Sequence, residues 1–263
     1  MAEILHYLGL PINMSVDGPA IDEVIVLTHW LMLVLFVGWG AFFIISLVKF
    51  RSSKNANADH DGVKSHISSV LEVVIAVIEI VLLVGFAMPI WASRISDVPE
   101  ANSGAFHARI IAQQFAWNFH YPGDDGIFGQ TSPNLVDEME NPIGLNRSSE
   151  GAADDIVTLN QLHIPVNTRI RLDLTSKDVI HSFSLPELRV KQDAIPGMKI
   201  PVHFEATMTS EEFLAEMVGT SREGKGLEIA CAQLCGLGHY RMRGFLTVHD
   251  DEGYQAWLEE EKL

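Results

Sequence analysis

Residues 231–242 read Cys-Ala-Gln-Leu-Cys-Gly-Leu-Gly-His-Tyr-Arg-Met. Cys231, Cys235, His239 and Met242 are four soft or borderline metal ligands in one short stretch, and Gly236 and Gly238 let the backbone between them turn tightly. Thiolate, imidazole and thioether together suit copper, whereas a thioether is not among the usual ligands of zinc. The Cys-x3-Cys spacing differs from the Cys-x2-Cys of zinc knuckles, and the chain has no other cysteine. Upstream, Asp178-Val179-Ile180-His181-Ser182-Phe183 offers a second imidazole on an apolar, β-prone run. Two thiolates shared by two metal ions would account for both cysteines, and the set suffices for a binuclear copper centre. A disulfide would leave His239, Met242 and the glycines without a role. A mononuclear copper site would leave one cysteine idle. Both stay open on the residues alone, as does zinc.

The loop resembles the binuclear copper (CuA) loop of the cytochrome c oxidase subunit II family, Cys-x-Glu-x-Cys-Gly-x-x-His-x-x-Met. Asp178–Phe183 resembles that family's ligand strand, and Lys191-Gln192-Asp193-Ala194-Ile195-Pro196-Gly197 resembles its Lys-x-Asp-Ala-Ile-Pro-Gly segment. The resemblance extends over nearly the whole chain. It implies side-chain ligation by His181, Cys231, Cys235, His239 and Met242, with Gln233 contributing its backbone carbonyl. Most members have Glu where Gln233 stands, and there the Glu side chain also reaches a magnesium ion between subunits. A neutral amide makes that magnesium doubtful here. Asp178, Asp193 and Arg241 are expected to orient ligands rather than to bind metal.

A formal charge of −16 on 263 residues makes nucleic acid an improbable partner and suits a basic protein donor. The chain has no Cys-x-x-Cys-His, so it carries no covalent c-type haem of its own. Residues 1–23 contain no Lys or Arg and hence no basic leader region. Val24–Val48 and Ser69–Ala92 are near-continuous apolar stretches long enough to span a bilayer. Lys49, Arg51, Lys54 and Lys64 lie between them, beside Asp59 and Asp61, so the positive-inside rule makes that connection cytoplasmic. The expected organisation is an external segment 1–23, a transmembrane helical hairpin 24–93 and an external domain 94–263. The membrane expected is the bacterial inner membrane, with both termini and the copper domain on the periplasmic side.

The external domain reads as short strands with Gly and Pro punctuation: Phe106–Tyr121, Ile156–Ile164, Thr168–Thr175, Ile200–Ala206, Leu227–Ala230 and Gly244–Val248. A short helix is expected over Ser210–Met217 with Ser210 as its cap, and a terminal helix over Gly253–Lys262. The fold expected is a cupredoxin-like Greek-key sandwich or barrel behind a two-helix hairpin. Residues 124–155 form a long acidic loop, read either as a solvated excursion or as a contact to another subunit. In Gln113–Tyr121, the side chains of Phe115, Trp117, Phe119 and Tyr121 would share one strand face. The family places a tryptophan for electron input where Phe115 stands. Trp117 matches its second tryptophan and is read as packing close to the copper. His163 and His203 are read as core histidines, while His107, His120 and His249 have no partner motif.

In the second span Glu72 and Glu79 share one helix face, about 10 Å apart along the axis. Glu72 matches a family glutamate at the mouth of a proton channel, and Glu79 extends the same face. The resemblance implies an electron-input subunit that takes electrons from cytochrome c or a similar c-type donor. It would pass them to haem in catalytic subunit I, which reduces O2 to water and pumps protons, among other oxidase subunits and membrane lipid. No catalytic residue for the oxygen chemistry is expected in this chain. The competing readings are a membrane-anchored copper-binding or delivery protein, a copper-free quinol-oxidase subunit II, and a reductase carrying the same copper loop.

Overall fold

The computed structural model describes residues 9–55, 57, 60–62, 64–100 and 103–262. The first eight residues of the N-terminal segment and Asp59 lie outside the described residues. The chain divides into two compact units: residues 1–10 with 20–96, and residues 11–19 with 97–263.

The first unit is two long helices, α1 (Gly18–Lys49) and α2 (Ile67–Ser96). Each exceeds the 20 or so residues that cross a hydrocarbon core. The apolar 18-residue windows within them reach mean hydropathies of 2.6 and 2.7, from side chains none of which is buried. Water does not tolerate such a surface, and lipid does. α2 contains a π turn at Leu83–Ala87, where the Met88 N–H reaches back to the Leu83 carbonyl. Pro89 has no N–H to give the carbonyl four residues earlier, and the wider turn accommodates that loss. Glu72 and Glu79 are both exposed on α2.

The second unit is a sandwich of two five-stranded sheets. One runs β3-β2-β1-β5-β8 and the other β4-β10-β9-β6-β7. In order the strands are β1 (Phe106–Gln113), β2 (Ala116–Tyr121), β3 (Ile156–Leu159), β4 (Gln161–Pro165), β5 (Arg169–Ser176), β6 (His181–Leu185), β7 (Val190–Ala194), β8 (Ile200–Glu205), β9 (Leu227–Cys231) and β10 (Arg243–His249). Alternation decides which face is buried: Ala108, Ile110 and Ala112 of β1 and Ile170, Leu172 and Leu174 of β5 are all fully buried. Trp117, Phe119 and Phe183 are buried with them.

Two expected single runs are each two strands. Phe106–Tyr121 folds back as the β1–β2 hairpin, with Gln113 paired to Ala116. Phe115 therefore lies in the turn, and only Trp117, Phe119 and Tyr121 share the buried strand. Ile156–Ile164 breaks at Asn160, which has φ 58° and sends β3 and β4 into different sheets. The short Asn side chain tolerates that conformation. Asn160 also pairs with Trp117, donating its N–H to the Trp117 carbonyl at 2.7 Å and accepting the Trp117 N–H on Oδ1 at 2.8 Å. β7, not foreseen as a strand, pairs along β6 from His181–Ala194 to Leu185–Val190.

Helix α3 (Ser210–Glu216) is capped by Thr209 rather than Ser210, in a reciprocal box with Glu212. The Ser210 hydroxyl instead accepts the Val248 N–H. Helix α4 (Asp251–Glu261) starts on Asp250 and buries Trp257. Residues 11–19 belong to this unit, where Met14 is fully buried and Ser15 bridges Ala206. The 124–155 segment is irregular but tied down. Asp155 accepts the Gly129 N–H, Asn141 bonds Leu135 and Leu145, and Lys177 bonds Glu138 and Pro142. Ile143, Leu145 and Ala152 form a small core of their own against Ile111 and Val157.

Candidate metal centre

The end of β9, the loop after it and the start of β6 bring the ligand residues together. β6 pairs with β9, placing Phe183 opposite Cys231, so His181 at the head of β6 faces the loop that Cys231 begins. The Cys231 and Cys235 sulfurs lie 3.8 Å apart. That is far beyond the ~2.05 Å of a disulfide, and both cysteines are free and buried. His181 Nδ1 lies 3.9 Å from Cys231 Sγ, His239 Nδ1 3.6 Å from Cys235 Sγ, and Met242 Sδ 3.7 Å from Cys235 Sγ. The Gln233 carbonyl accepts from Cys231 Sγ at 3.2 Å, while its side chain is exposed. The potential ligand atoms of His181, Cys231 and Cys235 all lie within 4.8 Å of one another. Two thiols, two imidazoles, a thioether and a carbonyl are a donor set that copper suits.

Asp178 fixes the His181 ring. Its Oδ1 accepts from His181 Nε2 at 2.9 Å, which leaves Nδ1 with a lone pair toward the sulfurs. The carboxylate is itself held by the N–H groups of Gln114 and Val179, both at 2.7 Å. Burial pushes the Asp178 pKa up, but these donors outweigh it and the net shift is downward. Burial likewise lowers His181, and its contacts with Cys231 and Asp178 reverse the direction. The two thiols separate. Burial raises Cys231, yet the polar contacts around its sulfur, His181's foremost, bring it to about 6. Cys235 is pushed up to about 11 by burial and by the charge of Cys231 beside it. Metal ligation requires both thiolates, so the pair is poised for a cation that neutralises them together.

The glycines have a second role that the sequence did not reveal. A Cβ on Gly238 would collide with the Phe115 ring, and one on Gly236 (φ +129°) would sit 2.7 Å from Gln114 Nε2. Gln114 Nε2 also donates to the Cys235 carbonyl. The ligand loop thus closes on the β1–β2 turn, and Phe115 is half-buried beneath it. Trp117 is fully buried with its ring 6.1 Å from His181 and 5.5 Å from Phe183. Arg241 is exposed in the short 3-10 turn His239–Arg241, and Asp193 is exposed on β7 opposite Ser182. Neither carboxylate nor guanidinium meets the ligand atoms. Gln114 is the participant that sequence reasoning missed, because it lies more than a hundred residues from Cys235 and belongs to no local pattern.

Residues 107–246 match the family described as cytochrome c oxidase subunit II, periplasmic domain. The alternative cytochrome c oxidase subunit 2 of Bradyrhizobium diazoefficiens is 30% identical over 243 residues, covering 92% of this chain and 80% of that one. Cytochrome c oxidase subunit 2 of Cereibacter sphaeroides is 25% identical over 264 residues, covering 92% and 78%. Among solved structures, the periplasmic domain of subunit II of cytochrome oxidase of Bradyrhizobium japonicum is 28% identical with a TM-score of 0.41, covering 63% of this chain and 96% of that one.

Proposed function

This chain belongs to the cytochrome c oxidase subunit II family and is membrane-anchored, and we propose that it is the electron-input subunit of a terminal oxidase. In this reading a c-type cytochrome docks outside the membrane, and electrons pass through a binuclear copper centre to haem in catalytic subunit I, where O2 becomes water and protons are pumped. The observation that supports it is the convergence of Cys231, Cys235, His181, His239 and Met242 on one buried point. When bound, the copper pair would supply a one-electron relay whose coordination changes little on reduction.

The chain's own residues would make that relay possible. Cys231 and Cys235, as thiolates, would hold the copper together with the imidazoles of His181 and His239. Met242 and the Gln233 carbonyl would complete the set. Asp178 would keep His181 in one tautomer, and Gln114 would hold the loop on the Cys235 carbonyl. Burial of both cysteines, Met242 and Trp117 would exclude water, so the ligands need not rearrange with each electron. Phe115 and Trp117, adjoining the loop, are the ring systems through which an electron would arrive. Glu72 and Glu79, on α2, would face subunit I and admit protons from the cytoplasmic side. The periplasmic side of a bacterial inner membrane is the compartment this arrangement fits, with the basic connection between the helices inside.

Metal analysis with electron paramagnetic resonance on the full chain in detergent tests the assignment. Two coppers per chain sharing one unpaired electron are expected. A single copper, or none, removes it in favour of a copper-delivery or copper-free subunit.

A further inference from the structure

On the outer face of the first sheet, beneath residues 131–143, lies a cavity of about 620 Å³. That is the size of a small-molecule site. Its wall is apolar at Ile111, Val136 and Met198, and positive at Arg109, Lys177 and Lys199. The charges are unequally engaged. Lys177 Nζ is fully used by Gln113 Oε1 at 2.7 Å, Glu138 Oε1 at 3.0 Å and the Pro142 carbonyl at 2.8 Å. Lys199 Nζ meets Asp173 at 2.8 Å and is otherwise exposed.

Of the two buried carboxylates nearby, Asp173 on the cavity wall is engaged by three basic side chains, and Asp155 is engaged through Oδ2 alone, its Oδ1 having no partner. Asp173 is bonded by His107 at 2.7 Å and by Arg171 at 3.1 Å, besides Lys199. Asp155 is bonded by His120 at 2.6 Å and by the Gly129 N–H at 2.8 Å. Arg109 is the exception. It stands opposite His120 on β2 and Asp173 on β5, half-buried, with its guanidinium carbon 4.0 Å from the centre of the Phe128 ring. Among the described residues no acceptor lies within hydrogen-bond distance of it. Burial lowers its pKa, opposed by the charges of Asp173 and Asp155, and a guanidinium remains protonated regardless.

A half-buried cation with its fork of donors unused, on the wall of an apolar-lined cavity, is costly unless an anion meets it. The Phe128 ring covers one side of the guanidinium, and its N–H donors suit a planar, two-oxygen acceptor. We propose that this cavity binds a small carboxylate on an apolar body, an aromatic or short aliphatic acid, anchored by Arg109.

The full chain in detergent would be titrated calorimetrically with benzoate, its neutral isostere benzamide, and inorganic phosphate. Saturable benzoate binding is expected, with benzamide and phosphate each at least about tenfold weaker. Arg109→Gln should weaken benzoate by about ten- to a hundredfold without changing copper content. Arg109→Lys should fall between, because it keeps the charge and loses the fork. Should Arg109→Gln fail to fold, Val136→Glu places a carboxylate in the cavity from its half-buried wall and should also abolish binding. The proposal is overturned by no saturable benzoate binding at millimolar concentration, by benzamide or phosphate binding as tightly as benzoate, by wild-type affinity in a folded Arg109→Gln, or, where that variant does not fold, by wild-type affinity in Val136→Glu.

Discussion

Asp178 holds no ligand atom, yet it decides which nitrogen of His181 faces the sulfurs. Asp178→Asn keeps the shape and removes the charge, so copper affinity should fall about 10- to 100-fold, measured by competition with a chelator. An unchanged affinity would show that the ring is oriented by packing against Trp117 alone. Cys231→Ser and Cys235→Ser should each abolish the paired-copper signal and electron uptake from donor while membrane insertion persists. A variant that still oxidises cytochrome c normally contradicts the bridging role. Gly238→Ala drives a methyl into the Phe115 ring and should lower copper retention, with Phe115→Ala in the same chain restoring part of it. Absence of any rescue would place the defect elsewhere. At Gln233 the exposed amide offers a magnesium ion one oxygen and no charge. Gln233→Glu should therefore raise magnesium content without altering copper.

At the scale of elements, α4 is stapled to the sandwich by an aromatic stack. His163 Nδ1 and His249 Nε2 are 2.8 Å apart, and Trp257 lies flat on His163 with ring centres 4.4 Å apart. Burial, then the neighbouring His249, pulls His163 down to about 4 from 6.5. Its folded pKa is below its unfolded one, so the unfolded chain binds more protons between those values. This contribution to stability is full above pH about 6.5 and is lost as pH falls toward about 4. The thermal midpoint of the β unit should drop across that window, and His163→Phe, which keeps the stack, should flatten the profile. An equal slope in the variant would assign the effect to other groups. In α2, Glu72→Gln should slow turnover of the assembled oxidase while reduction of copper by donor stays unchanged. Normal turnover would leave Glu72 structural.

Across the whole molecule, charge is the long-range signal. After Ala92 the chain carries 14 Lys and Arg against 26 Asp and Glu. A field of that sign speeds encounter with a basic donor and is screened beyond ~8–10 Å at moderate salt. Association with a free basic cytochrome should slow as ionic strength rises, in stopped-flow reduction of the copper. A flat profile would argue against electrostatic docking.

Much of this was legible in the chain. The two apolar spans announce lipid because no polar face interrupts them, and the ligand loop announces a candidate copper site because soft donors at Cys-x3-Cys-x3-His-x2-Met spacing have few other uses. Alternation in β1 and β5 gives the buried face directly. What sequence could not give is every relation set by distant pairing. The single reading of Phe106–Tyr121 failed because Phe115 suits a strand by composition, yet it sits in a turn closed by the ligand loop more than a hundred residues on. Asn160 divides Ile156–Ile164 because its backbone bonds to Trp117, a partner no local window contains. His107, His120 and His249 lacked partners in sequence and gained Asp173, Asp155 and His163 once the sheets formed. Local pattern determines what each segment buries, since burial depends on a residue's own side chain and period. Which groups then meet is decided only when two sheets close, because hydrogen bonds and charges act over a few ångströms of space and not along the chain.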